Sequence, residues 1–312
     1  MAPEFGSQNI KRLIPEPRDS GFVISFDGTS IYWEMHGPDP KETQNPPLLF
    51  CYGLACSVNQ WRAQVEFFSK TNPCLLFDYR GHHKSDSPSD FRAMNLSAIA
   101  KDAAAVIQQK ISPKASVHVW GHSMGCNVAL ELALAEPELC RSLVLCCGSA
   151  ENPFKRMFGT NVLEKSMTSL LNLFPNNEKI FTASWKILLS RPEITKYIVM
   201  FAGFNWQAVE SDDIETYVAA VASVHPKTFF PLLTELAKGQ TQNVLSRIKT
   251  PALIVAGTHD YVTPKKNQEH LAAGLVDGEY FSVPNGSHNV QLDFGEYVCL
   301  KAQDFWKKRN LL

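Results

Sequence analysis

The chain alternates short apolar runs with stretches of helical spacing, and this alternation restricts the possible folds more than any other feature. Four runs, PPLLFCYG, PCLLFDYRG, ASVHVWG and RSLVLCCG, are separated by helix-like segments. Apolar strands without polar alternation are buried on both faces, which is typical of a parallel sheet covered by helices. Two further runs, TPALIVAG and EYFSVPNG, follow later in the chain. The pattern predicts one α/β domain.

The predicted sheet begins with two strands of a different kind. The runs GFVISF and SIYWEMHG flank Asp27, Gly28 and Thr29, which suit a tight hairpin turn. With this antiparallel start the chain contains about eight strand-like runs. We therefore predict a mostly parallel central sheet of about eight strands, with helices on both faces.

One segment interrupts the strand and helix alternation. Residues 151–222 are helix-like and rich in aromatic side chains, and they contain no apolar run of the earlier type. We predict an inserted α-helical cap there, a core formed by residues 21–150 and 223–312, and an N-terminal tail at residues 1–20. Residues 4–7, EFGS, resemble a cloning scar, and the tail lacks the apolar stretch that a signal peptide requires.

Composition argues against several classes of function. Lys and Arg number 30 against 31 Asp and Glu, and no basic run occurs, so we expect neither nucleic acid nor a stable membrane association. None of the 8 cysteines stands in a CxxC pair, so the spacing indicates no metal site. Cysteines inside apolar runs are typical of reduced thiols, which predicts a cytoplasmic location. The sequence gives no indication of oligomeric state.

The segment VHVWGHSMGCNVAL places a serine, Ser123, between Gly121 and Gly125 where a strand passes into a helix. A serine at so sharp a turn adopts a positive φ. The backbone on either side of the turn then approaches so closely that the two flanking positions, 121 and 125, have no room for side chains. The helix that follows places free N–H groups and the positive end of its dipole near the serine. This is the setting of a nucleophile elbow, so Ser123 is the predicted nucleophile.

A serine hydroxyl is a weak nucleophile without a base and an acid that orients the base. Asp260 follows the strand-like run LIVAG, and His288 follows the run YFSV. The chain order Ser123, Asp260, His288 is that of one known class of serine hydrolases. Two alternatives stay open: His259, which adjoins Asp260, and Glu151, which follows the earlier run LVLCCGSA.

Five segments together resemble the α/β-hydrolase superfamily, specifically its cap-bearing esterase, epoxide-hydrolase and C–C-hydrolase branch. The resemblance covers nearly the whole chain after about residue 20 and implies the α/β-hydrolase fold. The segments are YGLACSVNQW (52–61), FDYRGHHKSD (77–86), GHSMG (121–125), AGTHDYVTP (256–264) and PNGSHNVQLD (284–293).

The resemblance implies roles for further residues. The backbone N–H groups of Leu54 and Met124 would form the oxyanion hole. Tyr52 stands where such proteins usually carry histidine, so its hydroxyl is a candidate for the substrate pocket, as is His122 of the elbow. Four aromatic residues of the predicted cap are further candidates for an apolar pocket: Phe154, Trp185, Phe204 and Trp206.

These residues predict a carboxylic ester hydrolase that acts through an acyl-serine intermediate on short- to medium-chain apolar esters. The Ser123, His288 and Asp260 chemistry requires neither a metal nor an organic cofactor. Epoxide hydrolases and haloalkane dehalogenases of the resembling branch use an aspartate nucleophile, so the serine argues against both activities. Hydrolysis of C–C bonds and of lactones stays open, and so does a small-molecule receptor built on the same fold.

Overall fold

The protein is described here by a computed structural model, which covers residues 10–159, 162–189, 203 and 210–312. At its centre is one sheet of eight strands. They are β1 (Asp19–Ile24), β2 (Ser30–His36), β3 (Leu48–Cys51), β4 (Cys74–Phe77), β5 (Val117–His122), β6 (Cys140–Cys146), β7 (Ala252–Gly257) and β8 (Gly278–Val283). Across the sheet their order is β1-β2-β4-β3-β5-β6-β7-β8.

The sheet is parallel from β4 to β8, and only β2 runs against its neighbours β1 and β4. The turn between β1 and β2 is closed by the Ser25 N–H, which donates to the Thr29 carbonyl at 2.9 Å. Gly28 has a φ of 85° in this turn, a conformation that glycine adopts without steric cost. The predicted mostly parallel sheet with an antiparallel start is confirmed.

Helices cover both faces of the sheet, as predicted. The described α-helices are α1 (Arg62–Phe68), α2 (Leu96–Lys110), α3 (Met124–Ala135), α4 (Val162–Leu173), α5 (Glu178–Leu189), α6 (Ser211–Ser223), α7 (Pro226–Lys238), α8 (Lys265–Gly274), α9 (Val290–Asp293) and α10 (Gly295–Lys308). Helix α1 packs against α10, and α2 packs against α3. None of the described helices is long and apolar enough to cross a bilayer.

Aromatic side chains fill the core beside the central strand β5. Trp120 is fully buried and lies 5.6 Å from Phe68 and 6.1 Å from both Trp61 and Trp306, measured between ring centroids. Large aromatic side chains contribute much of the apolar area that a core removes from water. These rings pack around β5, and the turn at its carboxyl end carries Ser123.

Between β6 and β7 the described residues form helices and no strand. Helices α4 and α5 fall inside the predicted cap, residues 151–222, and α6 ends one residue beyond it. The helical run continues beyond residue 222 through α7 and a 3-10 helix, Gln240–Arg247, before the sheet resumes. In an open parallel sheet ligands usually bind at the carboxyl ends of the strands, and this segment begins there, at the carboxyl end of β6.

Candidate active site

The elbow at Ser123 has the strained geometry that its flanking glycines allow. Ser123 has φ 52° and ψ −118°, and it directly precedes α3. A Cβ on Gly125 would lie 2.0 Å from the Cys51 carbonyl oxygen, and one on Gly121 would lie 2.6 Å from the Gly125 carbonyl oxygen. Both contacts are far inside van der Waals distance, so neither position accepts a side chain without a backbone shift.

The loops that follow β5, β7 and β8 bring three polar side chains into one hydrogen-bonded chain. His288 Nε2 lies 3.0 Å from Ser123 Oγ. On the other side of the ring, His288 Nδ1 lies 3.1 Å and 3.0 Å from the two carboxylate oxygens of Asp260. A base within about 3 Å of a serine and oriented by a carboxylate is the arrangement that activates the hydroxyl.

The Asp260 carboxylate is buried and held by neighbouring donors. One oxygen accepts from the backbone N–H groups of Val262 at 2.9 Å and Thr263 at 2.8 Å, and the other accepts from Gln268 Nε2 at 3.2 Å. Burial alone would raise the pKa of Asp260, but the adjacent His288 and the bonds from Thr263 outweigh burial and hold the pKa below its ordinary value. Asp260 therefore stays ionised beside the imidazole.

Thr263 and Gln268 are site residues that the sequence reasoning missed. A local signal for Thr263 existed, because an aspartate whose side chain accepts from backbone N–H groups two and three residues later is a common turn pattern. Gln268 lies on α8, and nothing in its spacing points to the site.

His122 connects the turn at Ser123 to the loop after β8 that carries His288, which we call the histidine loop. Its Nε2 lies 2.7 Å from the His288 carbonyl oxygen, so this nitrogen carries the proton and donates. Burial and the neighbouring His288 lower the pKa of His122 to about 3, which keeps the ring neutral near pH 7. Among the described residues none donates to its Nδ1, which is buried. The structure places His122 on the cavity wall beside Ser123.

His259 and Glu151, the alternatives for the base and the acid, are not part of the hydrogen-bonded series Ser123, His288 and Asp260. His259 is exposed, and its ring contacts the Thr258 hydroxyl. Glu151 forms an ion pair with Arg156 and lies 2.7 Å from His270 Nδ1. The geometry therefore favours His288 and Asp260 over both.

The segment after β3 forms a tight loop against Ser123, and we call residues 53–56 the oxyanion loop. The Cys56 N–H donates to the Gly53 carbonyl at 3.1 Å. A Cβ on Gly53 would lie 3.3 Å from Ser123 Cβ, so the two backbones approach closely. Among the described residues no acceptor takes the Leu54 N–H. Met124 begins α3, where the first N–H groups lack intrahelical partners, so both amides are available to an oxyanion.

Ser123 and His288 open onto a cavity of about 260 Å³. Most of its wall is apolar. Part of that wall is formed by side chains of α7, which were not predicted from the sequence. The apolar lining includes Leu54, Phe154, Met157, Val221, Phe229, Leu233, Leu236 and Val262. The volume lies just below that of most ligand sites, which typically measure roughly 300–1,000 Å³.

Of the predicted pocket residues, Phe154 and His122 lie on the cavity wall. Tyr52 instead points into the core: it is fully buried, its hydroxyl donates to Asp78 at 3.4 Å, and it accepts from the Tyr79 N–H at 2.9 Å. The Tyr52 hydroxyl therefore has hydrogen-bond partners in the core and does not reach the cavity.

The other cap aromatics are placed differently from the prediction or lie outside the described residues. Trp185 does not line the cavity; it packs on Phe229 and Phe230, at 4.6 Å and 5.8 Å between ring centroids. Large aromatic rings in a helical segment commonly bury one another, which is what Trp185 does here. Phe204 and Trp206 lie outside the described residues.

Cys147 lies beside Asp260 and His288, and the potential metal-ligand atoms of these three residues lie within 4.8 Å of one another. Burial, followed by the charge of Asp260, raises the pKa of the Cys147 thiol well above its ordinary value. A thiol binds metals as the thiolate, and His288 Nδ1 is already hydrogen-bonded to Asp260, so this donor set fits a metal poorly.

Comparison with known proteins gives the family. A family model described as the alpha/beta hydrolase fold matches residues 46–294. The chain is 24% identical over 262 residues to the proposed carbamate hydrolase RutD of Azorhizobium caulinodans, covering 83% of this chain and 88% of that protein.

Two solved structures show the same fold. A thermophilic esterase from Thermogutta terrifontis matches with a TM-score of 0.72 at 16% identity, over 93% of this chain and 98% of that one. Est816, described as an N-acyl homoserine lactone degrading enzyme, matches with a TM-score of 0.68 at 21% identity, over 90% of this chain and 99% of that one. With the family match over most of its length, the chain belongs to the alpha/beta hydrolase fold family.

Proposed function

We propose that this hydrolase cleaves carboxylic esters with short- to medium-chain apolar groups, through an acyl-serine intermediate. The observation that carries the proposal is the chain of hydrogen bonds from Ser123 through His288 to Asp260, at 3.0 Å for each link. It opens onto a small and mostly apolar cavity. A nucleophile with a base and an acid suits acyl transfer, and the apolar wall suits an uncharged substrate.

In the first half of the proposed reaction, Ser123 Oγ attacks the ester carbonyl carbon while its proton passes to His288 Nε2. The carbonyl oxygen becomes an oxyanion, which accepts from the Leu54 and Met124 amides. The C–O bond to the alcohol then breaks, and His288 returns the proton to the leaving oxygen. Asp260 keeps the imidazole in the required tautomer and stabilises its charged form.

In the second half, a water attacks the acyl carbon as His288 takes its proton. The tetrahedral species breaks the bond to Ser123 Oγ, which recovers the proton from His288, and the carboxylic acid leaves. All proton transfers and charge stabilisation in this scheme come from groups of the chain itself. We also propose that residues 151–222 act as a cap over the site, because Phe154 and Met157 contribute to the cavity wall.

A series of p-nitrophenyl esters from acetate to palmitate tests the substrate class. We expect kcat/KM to be highest between butyrate and octanoate and to fall for longer chains, because the cavity holds about 260 Å³. A steady rise to palmitate that required an oil–water interface would contradict the proposal. The same assays should include a lactone, a carbamate and a 1,3-diketone, which a serine triad can also cleave. Their kcat/KM values are then compared with those of the esters.

The same assay tests the receptor alternative. An ester hydrolase releases many equivalents of p-nitrophenol per protein, whereas a receptor with a residual triad would stop after about one slow turnover. The predicted cytoplasmic location is also part of the proposal; all eight cysteines are buried and free, as thiols in a reducing compartment are.

A further inference from the structure

Two buried amide side chains, Gln60 and Asn289, join the oxyanion loop to the loop that carries His288. We propose that they are positioning residues, which set the placement of the oxyanion-hole amide relative to the catalytic base. The inference rests on the proposed function of Ser123 and His288. Neither residue touches the reacting atoms, so they would act through the loops they connect.

The connection consists of two buried hydrogen bonds of ordinary length. The Gly53 N–H donates to Gln60 Oε1 at 3.1 Å. Gln60 Nε2 then donates to Asn289 Oδ1 at 3.0 Å. Asn289 directly follows His288 in the chain, and both amide residues are buried, at 5% and 1% exposure. We call this chain of bonds the amide relay.

The amide relay ends on the helical segment between β6 and β7. Asn289 Nδ2 donates to the carbonyl oxygen of Gly203, which also accepts from Ser287 Oγ at 3.2 Å. Gly203 lies on the cavity wall. Three parts of the site are therefore joined: the oxyanion loop, the histidine loop and the segment that covers the cavity.

The two ends of the amide relay fix the orientation of both side chains. It begins at a backbone donor, the Gly53 N–H, and ends at a backbone acceptor, the Gly203 carbonyl. Gln60 must therefore present oxygen to Gly53 and nitrogen to Asn289. Rotation of either amide by half a turn would place two donors or two acceptors against each other. In a buried site such a mismatch leaves polar groups unpaired, which is costly.

The relay sets the loop geometry because Gly53 immediately precedes Leu54. Its hydrogen bond fixes the plane of the peptide before the Leu54 N–H. The loop is closely confined on its other side, where a Cβ on Gly53 would lie 3.0 Å from His122 Nδ1. An oxyanion hole works when its donors lie about 2.7–3.1 Å from the oxyanion, so a small displacement of this loop weakens transition-state stabilisation more than substrate binding.

We would test the relay with Gln60→Met, which keeps the length of the side chain and removes both of its hydrogen bonds. We expect kcat on the best p-nitrophenyl ester to fall about 10- to 100-fold with little change in KM, since removal of a whole oxyanion donor costs about 100- to 1,000-fold. The affinity of a trifluoromethyl ketone of matching acyl chain should fall in parallel with kcat, because the inhibitor forms the tetrahedral adduct.

Gln64→Met is the matched control. Gln64 is a buried glutamine on the adjoining α1, and its Nε2 donates to the Gln291 carbonyl at 2.8 Å, so its loss also removes an interior hydrogen bond. We expect it to lower the thermal midpoint of unfolding while kcat and inhibitor affinity stay within about twofold of wild type. Asn289→Leu provides a second variant, and in combination with Gln60→Met its effect on kcat should be less than additive.

Either of two kinetic results would overturn the relay: Gln60→Met and Asn289→Leu changing only stability, as Gln64→Met does, or their effects on kcat adding fully. A readout independent of turnover separates this failure from failure of the proposed function. Deuterium exchange of the peptide that spans residues 52–57 should become faster in folded Gln60→Met than in wild type. Unchanged exchange refutes the relay, whereas absence of ester hydrolysis in the wild type refutes the proposed function.

Discussion

Ser123→Ala is expected to lower kcat on the best p-nitrophenyl ester by about five to six orders of magnitude, as loss of a triad nucleophile does. The reason is that His288 Nε2, 3.0 Å from the hydroxyl, would have no proton to remove and no covalent intermediate could form. The fold should be retained, because alanine at this turn keeps the backbone and removes only the Oγ atom. The measurement is steady-state hydrolysis with purified variant at high protein concentration.

Ser97→Ala, at an exposed serine of α2, is the control for this prediction and should leave kcat unchanged. A fall of less than tenfold in Ser123→Ala would remove Ser123 from the role of nucleophile. Such a result would leave the family membership intact and move the chemistry to another group.

Asp260→Asn is the second large effect, with an expected fall in kcat of about 10,000-fold. The carboxylate holds the Nδ1 proton of His288 and stabilises the charged imidazole, and its pKa lies below the ordinary value, so it is ionised throughout the neutral range. The amide of asparagine can donate to Nδ1, which favours the tautomer that cannot accept the Ser123 proton. Hydrolysis rates and a chemical unfolding curve should be measured together, because the Val262 and Thr263 amides also bond to Asp260.

Glu151→Gln is the matched comparison for Asp260→Asn, because Glu151 is the other acid that the sequence offered. Its carboxylate faces Arg156 and His270, so we expect kcat to change no more than a few-fold. The assignment would be reversed if Glu151→Gln abolished hydrolysis while Asp260→Asn retained most of it.

The sequence predicted the parts of the fold and site that depend on local patterns. Apolar runs without alternation predicted the parallel strands, and β3, β4, β5 and β7 are buried at every position, whereas β8 at the end of the sheet is mostly half-buried. The two glycines around Ser123 predicted the elbow because only the absence of side chains allows that approach of Cys51 to Gly125. Asp260 and His288 were predicted as partners of Ser123 because each follows a recognisable strand, and the structure brings the three side chains within hydrogen-bond distance at the shared edge of the parallel strands.

Side-chain direction in loops could not be predicted in the same way. Tyr52 was expected at the pocket, but its hydroxyl finds partners in Asp78 and the Tyr79 N–H below the loop. Trp185 has the size and polarity of a pocket residue, but its ring packs against Phe229 of α7 instead. The direction of each of these side chains depends on the partners that the tertiary structure places beside it. A periodic pattern in the local sequence carries no information about those partners.

The amide relay is the clearest case of a feature with no local signal. Gln60 and Asn289 are separated by 229 positions in the chain, and each is an ordinary polar residue in its own segment. Only the meeting of two loops at the edge of the sheet brings their amides within hydrogen-bond distance. The cavity wall contributed by Phe229 and its neighbours on α7 was missed for the same reason.

Stoichiometric labelling with a fluorophosphonate, followed by peptide mass spectrometry, is the decisive measurement for the proposed chemistry. We predict one label per chain, carried by the peptide that contains Ser123, with ester hydrolysis lost in proportion to the labelled fraction and no labelling of Ser123→Ala. Hydrolysis that persisted after Ser123 was fully labelled, or inactivation with the label on another residue, would contradict the assignment of Ser123 as the nucleophile.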